Sequence, residues 1–110
     1  MGFDVYGRRP RTRTGRYLRV HMFWWGPLWE YVCTVAAGVL SEEQQFHGFF
    51  NEGQYVKADQ AREIARRLDR ALRDGEVSRH VKRCRGRRFD EQLVRDFKNF
   101  CRNCGGFQIW

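Results

Sequence analysis

Residues 22–40 read MFWWGPLWEYVCTVAAGVL, an apolar stretch in which Glu30 carries the one charge. From Pro27 onward the apolar residues recur at helical spacing, and interleaved aromatic residues make the stretch apolar nearly all round. The pair Gly26-Pro27 predicts that the helix begins there, because proline is favoured at the first helical position. We therefore expect this helix to lie at the centre of the fold.

A membrane span is disfavoured in the same stretch. Its uninterrupted part, from Leu28 to Leu40, has about 13 residues, whereas a transmembrane helix needs about 20. Glu30 would lie near the centre of the bilayer, where a carboxylate is costly. The sequence therefore predicts a buried core helix and no membrane partner.

Two further helices are expected. Residues 61–72 read AREIARRLDRAL and place apolar side chains at i, i+3, i+4, i+7, i+10 and i+11, which is the clearest helical period in the chain. Gly75 is the expected stop of this second helix. Asp90 is a favoured N-cap for a third helix that ends at Gly105-Gly106. Residues 44–56 are predicted to form a loop.

Both ends of the sequence alternate as short strands. Residues 1–7 (MGFDVYG) place Phe3 and Val5 on one face, and residues 107–110 (FQIW) alternate in the same way. The predicted fold class is α+β, a single compact domain over residues 1–110 in which three helices pack on a small antiparallel sheet formed by the two chain termini. The exposed edge of that sheet can pair with a second copy of the chain, so a homodimer is one alternative.

The charge balance favours an anionic partner. The 110 residues carry 21 Lys and Arg against 13 Asp and Glu, a net charge of +8. Two acid-free segments, 8–19 and 79–88, hold twelve of the basic residues: Arg8, Arg9, Arg11, Arg13, Arg16, Arg19, Arg79, Lys82, Arg83, Arg85, Arg87 and Arg88. If these side chains share one face, they can follow a phosphate backbone or hold a nucleotide. The alternative is that the segments are two solvated loops that keep a small protein soluble. The first segment is predicted to be a loop or arm, punctuated by Pro10 and Gly15.

An aromatic cleft at Trp24 and Trp25 is a second candidate site. A core rarely needs two adjacent tryptophans, so one of them is expected to face outward or to line a cleft beside Arg19 or His21. Together with Tyr17, these rings offer stacking platforms for bases.

The cysteines leave three alternatives open. His80, Cys84, Cys101 and Cys104 read H-x3-C…C-x2-C, a pattern in which thiolates and imidazole can close a tetrahedral zinc site. Cys101 lies on the apolar face of the third helix, however, where a free thiol serves as a small hydrophobe. The third interpretation is that Cys101 and Cys104 form a redox-active C-x-x-C motif. No export signal accompanies these residues, so we expect reduced thiols, a cytoplasmic location and no cofactor other than that alternative zinc.

Enzyme signatures are not evident. The sequence has no phosphate-cradling glycine loop, no nucleophile elbow and no H-E-x-x-H motif. It therefore predicts a non-enzymatic binding module for an anionic ligand, nucleic acid or nucleotide, that acts through the Arg-rich segments. A small zinc-binding module is one alternative.

Several segments together resemble a family of small uncharacterised proteins of bacteria and their phages. These segments are MGFDVYG at 1–7, WWGPLWEYVC at 24–33, NEG at 51–53, AREIARRL at 61–68 and FCRNCGGFQIW at 100–110. The resemblance implies a shared fold and a phage or mobile-element origin, and it carries no activity. It adds a further alternative function, a phage accessory or anti-defence protein that inhibits an acidic host protein in the host cytoplasm.

The sequence departs from that family at two places. Members of the family often carry paired-cysteine, zinc-knuckle-like insertions between the second and third helices, where this chain has only a short basic stretch around Cys84. Lys57 stands at the N-cap of the second helix, where serine is usual. An accessory zinc module is therefore not implied by the resemblance.

Overall fold

Four antiparallel strands form the sheet of the fold. The computed structural model describes residues 2–85 and 87–110, so that Met1 of the predicted first strand and Gly86 of the second basic segment lie outside the described residues. The strands are β1 (Gly2–Gly7), β2 (Tyr17–His21), β3 (Gln54–Val56) and β4 (Phe107–Ile109).

The two ends of the sequence supply the central strands of this sheet. The strand order is β2-β1-β4-β3, and β1 pairs with β4 in antiparallel register, with Val5 opposite Ile109. The predicted α+β class and the predicted pairing of the terminal segments are thereby confirmed. The sheet has two more strands than the terminal pair that the sequence predicted.

Five helices accompany the sheet in the part of the chain that the structure describes. They are α1 (Met22–Val35), α2 (Glu42–His47), α3 (Ala58–Arg73), α4 (Glu76–Arg83) and α5 (Glu91–Asn103), with a short 3₁₀ turn at Arg13–Gly15. The three predicted helices correspond to α1, α3 and α5. The number three was wrong, because α2 and β3 occupy the predicted loop 44–56 and α4 covers the start of the second basic segment.

The start of α1 differs from the predicted one. The helix begins at Met22 and carries Pro27 in its interior. The His21 side chain caps it by accepting a hydrogen bond from the backbone N–H of Phe23 at 3.2 Å. This early start places Trp25 and Trp29 one turn apart on the buried face, with ring centroids separated by 5.6 Å. Burial of two indoles outweighs the hydrogen bond lost at an internal proline.

Helix ends follow the predicted chemistry elsewhere. Gly75 ends α3 in a left-handed conformation with φ of +79°, which glycine adopts without steric cost. The Asp90 side chain accepts a hydrogen bond from the N–H of Leu93 at 2.7 Å and caps α5. Among the described residues, no helix combines the length and the apolar character that crossing a bilayer requires.

The helices cover one face of the sheet. Helices α1, α2 and α5 contact the strands, α3 packs on α5 and α1, and α4 packs on α3 and α5. The strand side chains that face the helices are buried: Val5, Val20, Val56, Phe107 and Ile109. Because strand side chains alternate, their neighbours point to the opposite, outward face.

Candidate functional site

The outward face of the sheet carries exposed aromatic side chains. Tyr6, Tyr17, Tyr55 and Trp110 are each between 41% and 47% exposed. The register places Tyr17 opposite Tyr6, and Gln108 of β4 opposite both Tyr6 and Tyr55. A single row of side chains therefore crosses all four strands, over a distance of about 14 Å at the usual spacing between strands.

A second row lies beside the first. The backbone N–H of Trp110 donates to the carbonyl of Asp4 at 2.7 Å, which continues the β1–β4 pairing by one residue. On the other side of β1, the Arg19 guanidinium lies 3.1 Å from the Asp4 carboxylate, which also accepts a hydrogen bond from the Tyr17 hydroxyl. This hydrogen bond raises the pKa of Tyr17 above its ordinary value, so its hydroxyl stays neutral at physiological pH.

Gly53 allows the Trp110 ring to lie against the edge of the sheet. Its φ of +91° is in the left-handed region, and a Cβ atom built there would lie 2.7 Å from the indole. Any other residue at this position would displace the ring and strain the backbone. The tryptophan therefore rests directly on the backbone beside β3.

The start of the first basic segment is tied to the end of α5. The N–H groups of Arg8, Arg9 and Arg11 donate to the carbonyls of Gly106, Cys104 and Asn103, at 2.8, 3.0 and 2.8 Å. The last carbonyls of a helix have no hydrogen-bond donor within the helix, and these N–H groups supply donors to some of them.

This attachment places Arg8 at one end of the aromatic row. The Arg8 guanidinium lies 5.5 Å from the centre of the Tyr55 ring and donates to the Gln108 side chain. With Arg19 beside Tyr17, a guanidinium flanks each end of the row. Both arginines therefore lie where they can meet phosphates of a chain that crosses the aromatic side chains.

The prediction that residues 8–19 form a loop or arm was partly wrong. Residues 17–19 belong to β2, because Leu18 and Val20 alternate inward while Arg19 points outward. Arg13 and Arg16 lie exposed on the 3₁₀ turn and directly after it.

The remaining arginine of the first segment points elsewhere. Arg11 lines a cleft of about 270 Å³ together with Arg62, Arg66 and Arg102. This segment therefore distributes its charge between the sheet and the cleft beside α3 and α5.

The second basic segment lies in the helical layer, apart from the sheet, so the two segments do not share the single face that one phosphate backbone would follow. Arg79, Lys82 and Arg83 are on α4, and Arg85, Arg87 and Arg88 follow its end. Arg79 and Arg83 line a larger cleft between α1, α3 and α4, whereas the Arg88 guanidinium lies 4.6 Å from the centre of the Phe23 ring.

Arginines of α3 connect the two segments. Arg66 lines both the cleft that holds Arg11 and the cleft that holds Arg79 and Arg83. Within residues 2–85 and 87–110, Arg19 is the one member of the twelve predicted basic residues with a carboxylate within 4.0 Å. In the described part of the chain, eleven of the twelve predicted basic residues therefore have no ion pair, whereas Arg66 pairs with Glu63.

The two predicted tryptophans occupy different environments. Trp25 is fully buried, its indole N–H donates to the carbonyl of Gly48 at 2.8 Å, and its ring stacks on Phe3 at 5.2 Å. Trp25 therefore lines no aromatic cleft, because its ring is part of the core.

Trp24, by contrast, lines a cleft. This cleft, of about 270 Å³, also contains Arg19 and His21. Asp90 and Asp96 line it as well, and their carboxylates disfavour an anionic ligand there.

The predicted zinc ligands do not come together. No group of three or more His, Cys, Asp or Glu side chains that could hold a metal ion is present among the described residues. His80 packs against the rings of Tyr31 and Phe89 at 4.8 and 4.7 Å, whereas Cys84 lies half-buried at the end of α4.

The other two cysteines are buried thiols. Burial raises the pKa of Cys101 well above its ordinary value, and it raises that of Cys104 to about 11. The Cys104 S–H donates to the carbonyl of Cys101 at 3.5 Å. Both thiols are therefore protonated at neutral pH, which disfavours a reactive thiolate.

Several residues of these sites were not singled out from the sequence. Tyr6 and Trp110 could have been found, because they occupy the outward positions of the two predicted strands. Tyr55 lies on a three-residue strand, which is too short for its alternation to be distinctive. Arg66 lies off the apolar face of the second helix, but nothing in the sequence indicated which elements it would meet.

No family model matches the sequence, and no curated protein and no solved structure is significantly similar to it. The resemblance to the bacterial and phage family therefore stays a prediction. The assignment of function rests on the geometry of the sheet face and of the arginine clefts.

Proposed function

We propose that the protein is a non-enzymatic module that binds single-stranded nucleic acid on the outward face of its sheet. One observation carries this proposal: a row of exposed aromatic side chains crosses the sheet and has an arginine at each end. Arg8 lies at the Tyr55 end, and Arg19 lies beside Tyr17 in β2.

Exposed rings on a sheet suit unpaired bases. Stacking of a base on an aromatic side chain contributes about 1–3 kcal/mol and tolerates any base, because every base has a π face. Bases in a duplex are already paired and stacked, so their faces cannot reach Tyr6 or Tyr55. The arrangement therefore favours single strands over duplexes and favours no particular sequence.

The charge of the chain supports the same ligand. A net charge of +8 attracts a polyphosphate chain over a distance set by the ionic strength. Arg8 and Arg9 lie beside β3 and β4, where they line a cleft of about 320 Å³ with Tyr55. Asp4 offsets part of this field through its ion pair with Arg19 at 3.1 Å.

The direct test measures binding of a fluorescent oligonucleotide of about ten thymidines. Tyr6→Ala and Tyr55→Ala should each weaken binding by about 5- to 100-fold, which corresponds to the loss of one stacked base. Phe46→Ala is the matched control, because Phe46 is 60% exposed but lies in a cleft with Glu30 and Cys33 beside α1. A duplex of the same length should bind more weakly than the single strand.

Two results would count against the proposal. One is unchanged affinity in both tyrosine variants, since it would separate binding from the sheet. The other is an equal loss of affinity in Phe46→Ala, since it would show that any exposed ring serves.

Inhibition of a host protein is a second candidate, favoured by a separate observation. Phe46, Phe49 and Phe50 are exposed in and after α2, and the rings of Phe46 and Phe50 lie 5.2 Å apart. Clustered exposed phenylalanines are typical of protein–protein contact. This function predicts a protein partner that stays bound after nuclease treatment. The partner should no longer bind the Phe46→Ser variant but should still bind Tyr6→Ala.

A further inference from the structure

A cleft of about 630 Å³ opens between α1, α3 and α4, on the helical side of the molecule. Five arginines line it against two acids: Arg66, Arg67, Arg70, Arg79 and Arg83 against Asp74 and Glu76. The surplus of positive charge makes this cleft favourable for an anion. Its volume is in the range of small-molecule sites, well above what one inorganic ion needs.

Two of the arginines have structural partners. Arg66 and Arg67 pair with the Glu63 carboxylate at 2.6 and 2.8 Å. Arg67 also donates to the carbonyls of Val35 and Ala37, at 3.1 and 3.0 Å, and so joins α3 to the end of α1. Arg67 therefore joins two walls of the cleft, whereas Arg66 is paired within α3.

The other three guanidinium groups are available to a ligand. Within the described chain, Arg70, Arg79 and Arg83 have no carboxylate within 4.0 Å. Arg79 donates to the backbone carbonyl of Asp74 at 3.3 Å, and Arg83 contacts the ring nitrogen of His80 at 3.4 Å. Both contacts leave most of the donors of each guanidinium unused.

Tyr31 adds an unsatisfied hydroxyl to the same cleft. Its side chain lines the cleft, the residue is only 7% exposed, and its hydroxyl has no hydrogen-bond partner among the described residues. Contacts with His80 and Phe89, at 4.8 and 5.2 Å between ring centroids, fix the orientation of the ring. A buried hydroxyl without a hydrogen-bond partner lowers the stability of the fold, and a ligand that accepts its hydrogen bond would offset that cost.

The charge state of that hydroxyl makes it a donor. Burial raises the pKa of Tyr31 above its ordinary value, and the nearby Glu76 carboxylate adds to the shift, while Arg83 and Arg79 oppose it. The hydroxyl is therefore protonated at neutral pH and can donate to an anionic oxygen.

We infer that this cleft binds a phosphomonoester, whose phosphate contacts Arg70, Arg79 and Arg83 and accepts a hydrogen bond from the Tyr31 hydroxyl. A phosphomonoester carries close to two negative charges and three acceptor oxygens, which match several guanidinium forks and one hydroxyl donor. The apolar side chains of Val35 and Ala71 line the same space and provide contact for the organic part of the ligand. This site is separate from the sheet face.

Calorimetric titration with adenosine monophosphate, adenosine and inorganic phosphate tests the inference. The monophosphate should bind, adenosine should not, and inorganic phosphate should bind more weakly because it lacks the organic part. Tyr31→Phe should weaken binding by at least about tenfold, as expected for loss of a hydrogen bond to a charged group. The same variant should unfold at no lower temperature than the parent when no ligand is present, since it removes an unsatisfied group.

Arginine variants complete the test. Arg79→Gln and Arg83→Gln should each weaken binding, whereas Arg95→Gln on α5 should leave it unchanged, because Arg95 pairs with Glu91 outside the cleft. Unchanged affinity in Tyr31→Phe, equal binding of adenosine, or no binding of the monophosphate at millimolar concentration would overturn the inference.

A further titration separates this site from the proposed nucleic-acid surface. An oligothymidine with a 5′-hydroxyl should bind equally well to the parent and to Tyr31→Phe. Competition with the mononucleotide by a 5′-phosphorylated strand, but not by the 5′-hydroxyl strand, would identify a strand end as the natural source of the phosphate. No competition by either would assign the cleft to a free phosphomonoester.

Discussion

Tyr6 and Tyr17 face each other across the β1–β2 pair, with ring centroids 5.2 Å apart and both rings exposed. Tyr17 is held further by the hydrogen bond from its hydroxyl to Asp4. A ring that is fixed before binding loses little conformational entropy when a base stacks on it. The pair is therefore a preformed platform.

Two replacements of Tyr17 should distinguish the contribution of its ring to binding from that of its hydroxyl. If bases stack on this platform, Tyr17→Phe should bind oligothymidine within about threefold of the parent, whereas Tyr17→Ala should bind about 5- to 100-fold more weakly. Fluorescence anisotropy of the labelled oligonucleotide provides the measurement. An equally large loss in both variants would show that the hydroxyl contacts the ligand and that stacking is not the main contribution.

Salt should weaken nucleic-acid binding to a predictable extent. If Arg8, Arg9 and Arg19 each contact one phosphate, the logarithm of the binding constant falls with the logarithm of salt concentration at a slope of about −2 for a single strand. The dissociation constant should then rise about twentyfold between 50 and 200 mM salt. Binding that is insensitive to salt over this range would remove the electrostatic basis of the proposal.

The two neighbouring tryptophans should differ in their contribution to stability. Trp25→Phe leaves the Gly48 carbonyl without its donor and creates a cavity beside Trp29, so it should lower the free energy of unfolding by about 2–3 kcal/mol. Trp24→Phe removes a half-buried indole and should cost less than about 1 kcal/mol. Urea unfolding of the two variants is the measurement, and equal losses would contradict the burial difference.

Acid should destabilise the protein through His80. Burial lowers the pKa of His80 below its ordinary value of 6.5, Arg83 lowers it further, and Glu30 opposes the shift. The unfolded chain therefore takes up this proton more readily, so the contribution to stability is present above pH 6.5 and is lost as the pH falls below it. Urea midpoints measured from pH 7.5 to 5 should fall less in His80→Gln than in the parent; an unchanged pH dependence would argue against this role.

The buried thiols should resist alkylation in the native protein. Burial raises the pKa of Cys33 and of Cys104 to about 11, and Cys101 is fully buried. Iodoacetamide at pH 8 should therefore label Cys101 and Cys104 only after unfolding in urea, as mapped by mass spectrometry. Rapid labelling of Cys104 in the native protein would mean that the end of α5 opens readily.

The sequence predicted those elements whose apolar face meets the core. α3 was evident because its buried residues recur at helical spacing from Ala61 to Leu72. α4 was not, because Val77 and Val81 are its only aliphatic side chains and its basic residues resemble a solvated loop. α2 carries a Ser41 capping box that could have been read, but its one apolar residue, Phe46, is exposed and gives no core pattern.

The candidate sites were harder to predict than the fold. A strand pattern such as Tyr17-Leu18-Arg19-Val20 assigns side chains to two faces, but it does not say which face stays uncovered. That depends on α1 and α5 packing on the same side, which is a tertiary relationship. The cleft at Tyr31 likewise requires α3 and α4 to meet α1, and nothing in the spacing of Arg70 and Arg79 specifies that meeting.

The central position of β1 and β4 has a consequence for synthesis of the protein. Strand β1 cannot pair with β4 until a segment more than a hundred residues later has been made, since Val5 pairs with Ile109. On the ribosome, Tyr6 and Tyr17 can pair early, but Tyr55 cannot join them until the segment containing Gln108 has left the exit tunnel. A chain interrupted before residue 107 would contain the β1–β2 pair and a β3 segment without its strand partner, and such an incomplete sheet is prone to aggregation.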